Sequence, residues 1–311
     1  MLLIKTGGPA MAEEWRGYFA EFRPSMRTAS FDAPEATPEE AEYALCWEPP
    51  PGWLASLPRL RAIFSIGAGV DHITLDPTWP RHLPLVRMGG EETGQRMGEY
   101  VAWACLSLLR NARHFALNQA VARWEYEPGE FTARDRTVGI MGLGTLGVAC
   151  VPMLRGLGFP VRGWTRSPKR VEGVETFAGP AGLDEFLAGT QILVCLLPAT
   201  PETNGIVDAR LLAQLPRGAA VVNAARGAHV VLSDLIAVLD SGHLAGAVLD
   251  AFEPEPLAAD SPVWSHPKVT ITPHVASIAR RRERARFVTD AIADFEAGKP
   301  LPNLYDPVRG Y

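Results

Sequence analysis

Along the first hundred residues, short apolar runs alternate with segments whose apolar positions recur at helical spacing. MLLIKTGG reads as a strand closing on a turn, and AEEWRGYFAEF as an amphipathic helix. AEYALCW and LRAIFSIGAG read as further strands, each ending in turn residues. Such alternation predicts parallel β-α-β layering. It is interrupted by EYVAWACLSLLRNARHFALNQAVARW, residues 99–124, which has helical spacing with no Pro or Gly and predicts one long helix.

A second alternating series begins at residue 137. TVGIMGLG, PVRGWT, QILVCLL, AAVVNAA, GAVLDAF and VTITP are apolar runs of strand length, mostly separated by helical patterns such as DARLLAQL and LSDLIAVLDSG. Continuous apolar strands predict a sheet buried on both faces. The final helical stretch, SIARRRERARFVTDAIADFEAG, is too polar at its start to be only another sheet-covering helix, and we read it as crossing back to the first module. The predicted fold class is α/β, with two parallel-sheet domains and a cleft between them. One is residues 1–97 plus 276–311, and the other residues 98–275.

Composition narrows the function classes. A length of 311 residues with 47% apolar side chains is enough for two cores, and 21% charged residues is ordinary for a globular protein. A net charge of −5 offers no basic field for nucleic acid or an anionic membrane. Cys46, Cys105, Cys150 and Cys195 lie far apart without CxxC spacing, and three of them sit in apolar runs; they read as buried thiols rather than a disulfide framework or metal site. The start, MLLIKTGGPA, has too short an apolar core for a signal peptide, and the longest apolar run, YVAWACLSLL, is about half of a membrane span. A soluble, cytoplasmic protein is expected.

The chemistry begins at VGIMGLGTLG. Gly142, Gly144 and Gly147 stand in GxGxxG spacing after a strand and at the mouth of a helix whose first residues include Thr145 and Leu146. In that setting the motif predicts a dinucleotide site of Rossmann type: a tight turn, a close backbone approach to pyrophosphate, and a helix N-terminus facing the phosphate charge. The next strand of such a unit normally ends in an acid that binds a ribose hydroxyl. Here the stretch is VRGWTRSPKR, residues 161–170, with no acid at its end. Arg166 offers a planar fork of donors, Ser167 a hydroxyl and Lys169 a positive charge. All three suit a 2′-phosphate, so the expected cofactor is NADPH in preference to NADH.

Three later strand ends carry ionisable residues: Arg226 in VVNAARGAHV, Glu253 and Glu255 in LDAFEPEPL, and His274 in TITPHVA. In an open α/β sheet the ligand crevice lies outside the carboxyl ends of the strands, where all three can converge. Hydride attack on a 2-keto acid builds negative charge on the carbonyl oxygen. A histidine held by a carboxylate can quench it with a proton, and a guanidinium can grip the substrate carboxylate and polarise the carbonyl. His72, His229, His243 and His266 lack this combination of strand end and motif and read as structural or surface residues. No cluster has metal-ligand spacing.

Taken in order, GLGTLG, LLPATPET, NAARG, DAFEPEPL and TPHVA resemble the motifs of the D-isomer-specific 2-hydroxyacid dehydrogenases over nearly the whole chain. The basic WTRSPK turn and the RGY ending resemble the glyoxylate/hydroxypyruvate reductase A subgroup. The resemblance implies two Rossmann-like/flavodoxin-like domains and NADPH-dependent reduction of small 2-keto acids, glyoxylate and hydroxypyruvate, to D-2-hydroxy acids. It implies Arg226 as substrate binder, His274 as acid/base and Glu255 as its partner; Glu255 is preferred to Glu253 because the family's acid directly precedes Pro-Leu. It further implies that Pro198, Thr203, Ala224 and Asp250 line the cofactor, with Asp250 near the nicotinamide amide. The SIGAGVDH stretch resembles the family's substrate loop, with N–H groups around Ala68 and Gly69 for a carboxylate, and Trp47 as a wall against large substrates. The helix from Glu99 resembles the segment through which the family forms homodimers. A broader 2-keto acid reductase remains an alternative. So does a formate-type dehydrogenase, though that type pairs its histidine with Gln where Glu255 stands. A third is a dinucleotide-sensing corepressor on the same scaffold.

Overall fold

The structure, a computed structural model, describes residues 1–310; Tyr311, the last residue of the RGY ending, lies outside the described residues. The chain divides into two compact units: Met1–Thr93 with the chain from Ile278 onward, and Gly94–Ser277.

In the first unit, β1 (Leu2–Lys5), β2 (Thr28–Ser30), β3 (Tyr43–Cys46), β4 (Ala62–Ser65) and β5 (Leu85–Val86) form a parallel sheet ordered β2-β1-β3-β4-β5. Neighbouring side chains of β1 point to opposite faces, and both faces are apolar. Leu2 and Ile4 join a core with Trp15 and Phe19 of α1 (Pro9–Phe22), while Leu3 joins a second core with Ala44, Ile63 and Ile73. The last helix of the chain, Arg281–Glu296, inserts Ala285, Val288 and Ile292 into the first of these cores. Its polar start is explained by ion pairs to α1: Arg281 reaches Glu14 at 2.7 Å, and Arg282 pairs with Glu21. Part-exposed pairs of this kind contribute little, so the apolar stripe holds the helix in place. The short strands β2 and β5 were not legible in the sequence pattern; β2 buries only Ala29, and β5 has two residues.

The predicted helix over 99–124 is two helices. α2 (Asp71–Thr74) is a single turn; α3 (Glu91–Leu109) starts at Glu91 rather than Glu99, and α4 (Ala112–Ala120) follows it. Between them Asn111 takes φ 52°, a left-handed backbone that Asn tolerates better than most residues and that breaks the ladder. Beyond Ala120 the chain is irregular, with Trp124 and Tyr126 exposed.

The second unit contains a seven-stranded parallel sheet. In chain order its elements are β6 (Val138–Met141), α5 (Thr145–Gly156), β7 (Val161–Thr165), β8 (Glu175–Ala178), α6 (Leu183–Ala188), β9 (Ile192–Cys195), α7 (Ala209–Gln214), β10 (Ala219–Asn223), α8 (Leu232–Asp240), β11 (Leu244–Leu249) and β12 (Val269–Ile271). The order β12-β11-β10-β9-β6-β7-β8 reverses direction between β6 and β9. Buried clusters cover both faces, as the continuous apolar runs predict. Only β8 escaped that reading, because this edge strand, ETFA, has an exposed Glu175 and no fully buried side chain. All four cysteines are free and buried. Among the described residues, no helix is long and apolar enough to cross a membrane.

Candidate active site

Because every strand pair of the larger sheet is parallel, all its carboxyl ends open on one edge, and the reversal between β6 and β9 makes a crevice there. The glycine loop follows β6. Gly142 has φ 102°, and a Cβ on it would meet the Leu196 carbonyl oxygen at 2.6 Å. A Cβ on Gly147 would stand 2.0 Å from the Gly142 oxygen, so helix and turn can pack only over glycine. Gly144 differs: it is exposed, with nothing within 4 Å of an added Cβ. The first turn of α5, Thr145 to Gly147, carries N–H groups that no helical carbonyl can satisfy. Leu146 turns its side chain against the buried cluster. An open backbone at Gly144 and a helix N-terminus behind it fit a dinucleotide pyrophosphate.

The basic turn follows β7. The Thr165 hydroxyl donates to the Ser167 carbonyl at 2.7 Å, shaping a turn on which Arg166, Ser167 and Lys169 are exposed. Lys169 Nζ donates to the Leu143 carbonyl at 2.5 Å, which fixes its charge beside the glycine loop. Glu202, in the loop after β9, has its carboxyl held below the usual range, first by its own backbone N–H and the Thr200 hydroxyl, with a smaller attraction from Arg166. In the same loop the Thr203 hydroxyl lies 2.7 Å from the Pro198 carbonyl and 3.0 Å from the Thr200 carbonyl. That side chain therefore staples its own loop, and Ala224, after β10, is buried.

Arg226 follows β10 in a turn built from buried polar groups. Asn223 Nδ2 donates to the Arg226 carbonyl at 2.9 Å, and the Arg226 N–H points at His229 Nδ1 at 3.3 Å. A Cβ on Gly227 would sit 2.0 Å from the Phe252 carbonyl carbon, so the arginine turn packs backbone to backbone on the loop carrying Glu255.

Glu255 and His274 meet directly. Glu255 Oε2 lies 2.8 Å from His274 Nδ1, and Oε1 accepts the Phe252 N–H at 2.8 Å, so one oxygen anchors the carboxylate and the other orients the ring. Glu253 is exposed and makes no such pair. A carboxylate only accepts, so Nδ1 carries the proton and Nε2 is left for chemistry. The two side chains remain 38% and 37% exposed. His274 has φ 55°, a left-handed backbone rarely taken by a side-chain-bearing residue and a mark of a constrained site. Asp250 maintains it. Its carboxylate accepts the Val275 and Ala276 N–H groups, each at 2.9 Å, and the Thr272 hydroxyl at 2.5 Å, while its carbonyl accepts the His274 N–H at 2.8 Å. Thr272 in turn lies 2.7 Å from the Tyr100 hydroxyl; with its own proton committed to Asp250 it accepts there, so Tyr100 serves as the donor. Asp250 is only 1% exposed. The carboxylate expected beside a nicotinamide amide is thus also the one that holds the His274 turn. Asn223 and Thr272 stand in the NAARG and TPHVA motifs and Tyr100 in the long helical stretch, but none of the three was singled out in the sequence.

In the first unit, Trp47 follows β3 and stacks on His72 with ring centroids 4.0 Å apart. Ser65 Oγ accepts the Gly67 N–H at 3.0 Å and lies 3.2 Å from both the Gly69 carbonyl and His72 Nε2, folding residues 65–72 into a compact loop. Arg284 donates to the Ile66 carbonyl at 3.2 Å, and burial lowers its guanidinium to about 10. The Ala68 and Gly69 N–H groups make no hydrogen bond among the described residues, which suits an anionic group.

An enzyme that moves hydride to or from a CH–OH carbon with NAD(P) needs a phosphate cradle and a fixed acid, and the larger sheet carries along one strand edge a glycine turn at a helix N-terminus and a carboxylate-held histidine, which suit those needs. The family profile of the D-isomer specific 2-hydroxyacid dehydrogenase NAD binding domain matches residues 102–276. The chain is 42% identical over 293 residues, 93% of each protein, to a glyoxylate/hydroxypyruvate reductase A of Klebsiella pneumoniae (strain 342). Among solved structures it is similar to a D-isomer specific 2-hydroxyacid dehydrogenase of Xanthobacter autotrophicus Py2 in complex with NADPH and MES. That match has a TM-score of 0.93 and 41% identity, covering 100% of this chain and 99% of the other. It is also similar to an NADPH-dependent glyoxylate/hydroxypyruvate reductase of Sinorhizobium meliloti in complex with NADP and sulfate, with a TM-score of 0.92, 39% identity and coverage of 100% and 99%. The chain belongs to the D-isomer specific 2-hydroxyacid dehydrogenase family and is an NAD(P)-dependent oxidoreductase acting on CH–OH donors.

Proposed function

We propose that the protein reduces small 2-keto acids, glyoxylate and hydroxypyruvate foremost, to D-2-hydroxy acids with NADPH. The observation that carries this reading is the 2.8 Å His274–Glu255 pair, set on the same strand edge as the glycine loop and Arg226. NADPH, bound along the Gly142–Gly147 loop, supplies the hydride. In the reducing direction His274 enters as the imidazolium: it gives its Nε2 proton to the carbonyl oxygen as charge builds there and is left as the neutral Nδ1–H tautomer, which Glu255 holds with Nε2 outward. Arg226 holds the substrate carboxylate and polarises the carbonyl.

The choice of NADPH rests on the exposed Arg166 and Ser167, with Lys169 beside them, where an acid would repel a 2′-phosphate. The relatives solved with NADPH or NADP support it. Gly144, Thr145, Leu146 and Gly147 cradle the pyrophosphate, and Pro198, Thr203 and Ala224 shape the cofactor's bed. Asp250 is assigned both to the support of the His274 turn and to the nicotinamide side of that bed. In the smaller unit, the Ala68 and Gly69 N–H groups are assigned to a carboxylate and Trp47 to a limit on substrate size. The working form is a cytoplasmic homodimer through α3, where the exposed Trp103 lies in an apolar groove with Ala102, Leu106, Met153 and Leu157.

The test is a steady-state assay of NADPH oxidation with glyoxylate, hydroxypyruvate and a bulky 2-keto acid, each repeated with NADH. Fast turnover of the two small acids with NADPH, and little with NADH, is the expected result. Equal turnover with NADH removes the role given to Arg166. No turnover, with NADPH bound tightly, sinks the reductase reading and favours a dinucleotide-sensing protein.

A further inference from the structure

His229 lies three residues beyond Arg226 and is 1% exposed, yet it is a histidine where a leucine would fill the same space. Its two ring nitrogens serve two different loops. Nδ1 lies 3.3 Å from the Arg226 backbone nitrogen, and Nε2 lies 3.1 Å from the Pro198 carbonyl. A backbone N–H can only donate and a carbonyl can only accept, so one neutral tautomer satisfies both, with the proton on Nε2.

The ring is not needed merely to join the segments. Gly205 N–H already donates to the Ala228 carbonyl at 2.7 Å, Val207 N–H to the His229 carbonyl at 2.9 Å, and Val207 pairs with Val230 as a parallel bridge. What the imidazole adds falls on two atoms of the reactive edge: the amide of the substrate arginine and the carbonyl opening the loop after β9. The Pro198 carbonyl also receives the Thr203 hydroxyl at 2.7 Å, so its direction is set from two sides.

We propose that His229 is a positioning residue that couples the keto-acid grip of Arg226 to the cofactor loop at Pro198, through a neutral Nε2–H imidazole. The inference rests on the reductase reading above. Binding energy at one loop is thereby transmitted to the geometry of the other, and the two halves of the bridge are separable by substitution. In His229→Asn the side-chain oxygen can replace Nδ1 toward Arg226 but cannot reach Pro198. In His229→Gln the amide nitrogen can replace Nε2 toward Pro198 but removes the Nδ1 acceptor from the Arg226 N–H. His229→Phe keeps the ring and loses both bonds.

The experiment measures kcat, KM for glyoxylate and KM for NADPH in all three variants and the wild type, with thermal melting as a fold control. His229→Gln is expected to raise KM for glyoxylate about tenfold, the scale of one lost buried hydrogen bond, with KM for NADPH near wild type. His229→Asn is expected to do the reverse, and His229→Phe to raise both. If His229→Phe does not fold, the Asn and Gln pair decides the matter. Variants that all retain wild-type constants, or Asn and Gln variants that lose both alike, overturn the inference. A wild type that turns over no small keto acid overturns the reductase reading, and the coupling falls with it. Independently of activity, the nitrogen NMR spectrum of the His229 ring should show the proton on Nε2; a proton on Nδ1 overturns the bridge.

Discussion

Two turns at the same strand edge, one after β12 and one after β7, are built in opposite ways. The His274 turn has left-handed backbone at its key residue and is held by a buried carboxylate that accepts three hydrogen bonds, backed by Thr272 and Tyr100. The Arg166 turn is exposed, shaped by one threonine hydroxyl, with Lys169 tied back to the glycine loop. A proton donor must present one atom at one angle, so its support is rigid and buried. A phosphate site needs charge and donors within reach, so long side chains on a solvated turn suffice. The difference separates residues whose loss should stop chemistry from residues whose loss should change the choice of cofactor.

The largest effect expected on this edge, short of removing the acid itself, is from Arg226→Gln. Losing the guanidinium that stabilises the developing charge should lower kcat/KM for glyoxylate about 10²- to 10³-fold. Steady-state kinetics check this, and a loss under threefold would leave the arginine without a substrate role. Next, Arg166→Asp should cut the kcat/KM ratio of NADPH to NADH by about tenfold or more, the scale of a lost charge-assisted hydrogen bond. Its melting temperature should not move, since the side chain is exposed. An unchanged ratio would reduce Arg166 to a surface charge. Smallest in its effect on turnover is Asp250→Asn, which presents an NH₂ where N–H groups point and should cost about 1–3 kcal/mol of stability in urea unfolding. That cost should come with a loss of kcat that Arg166→Asp does not share. Stability without change would mean that the turn after β12 is held by something other than Asp250.

The sequence made this edge legible wherever chemistry needs a residue type at a strand end. Glycine spacing located the turn after β6, the missing acid singled out the turn after β7, and Glu255 and His274 stand in the motifs that bring them to within 2.8 Å. The supports were not legible, because they act through contacts remote in sequence. Tyr100 sits in an apolar helix and reads as core, yet it meets Thr272 across 172 positions. Nor does the sequence show that Thr203 also staples its own loop or that Asp250 also holds the His274 turn. Among fold elements, each miss has a local cause. β5 is too short and β8 too exposed for periodicity to register, and the break at Asn111 depends on a backbone angle that helical spacing does not encode.

The most direct test of the central claim is His274→Ala, with turnover and NADPH affinity measured on the same preparation. The account predicts a kcat for glyoxylate lower by about 10²- to 10⁴-fold with the NADPH Kd unchanged, because the acid is removed and the phosphate cradle is left intact. A kcat near that of the wild type would contradict it.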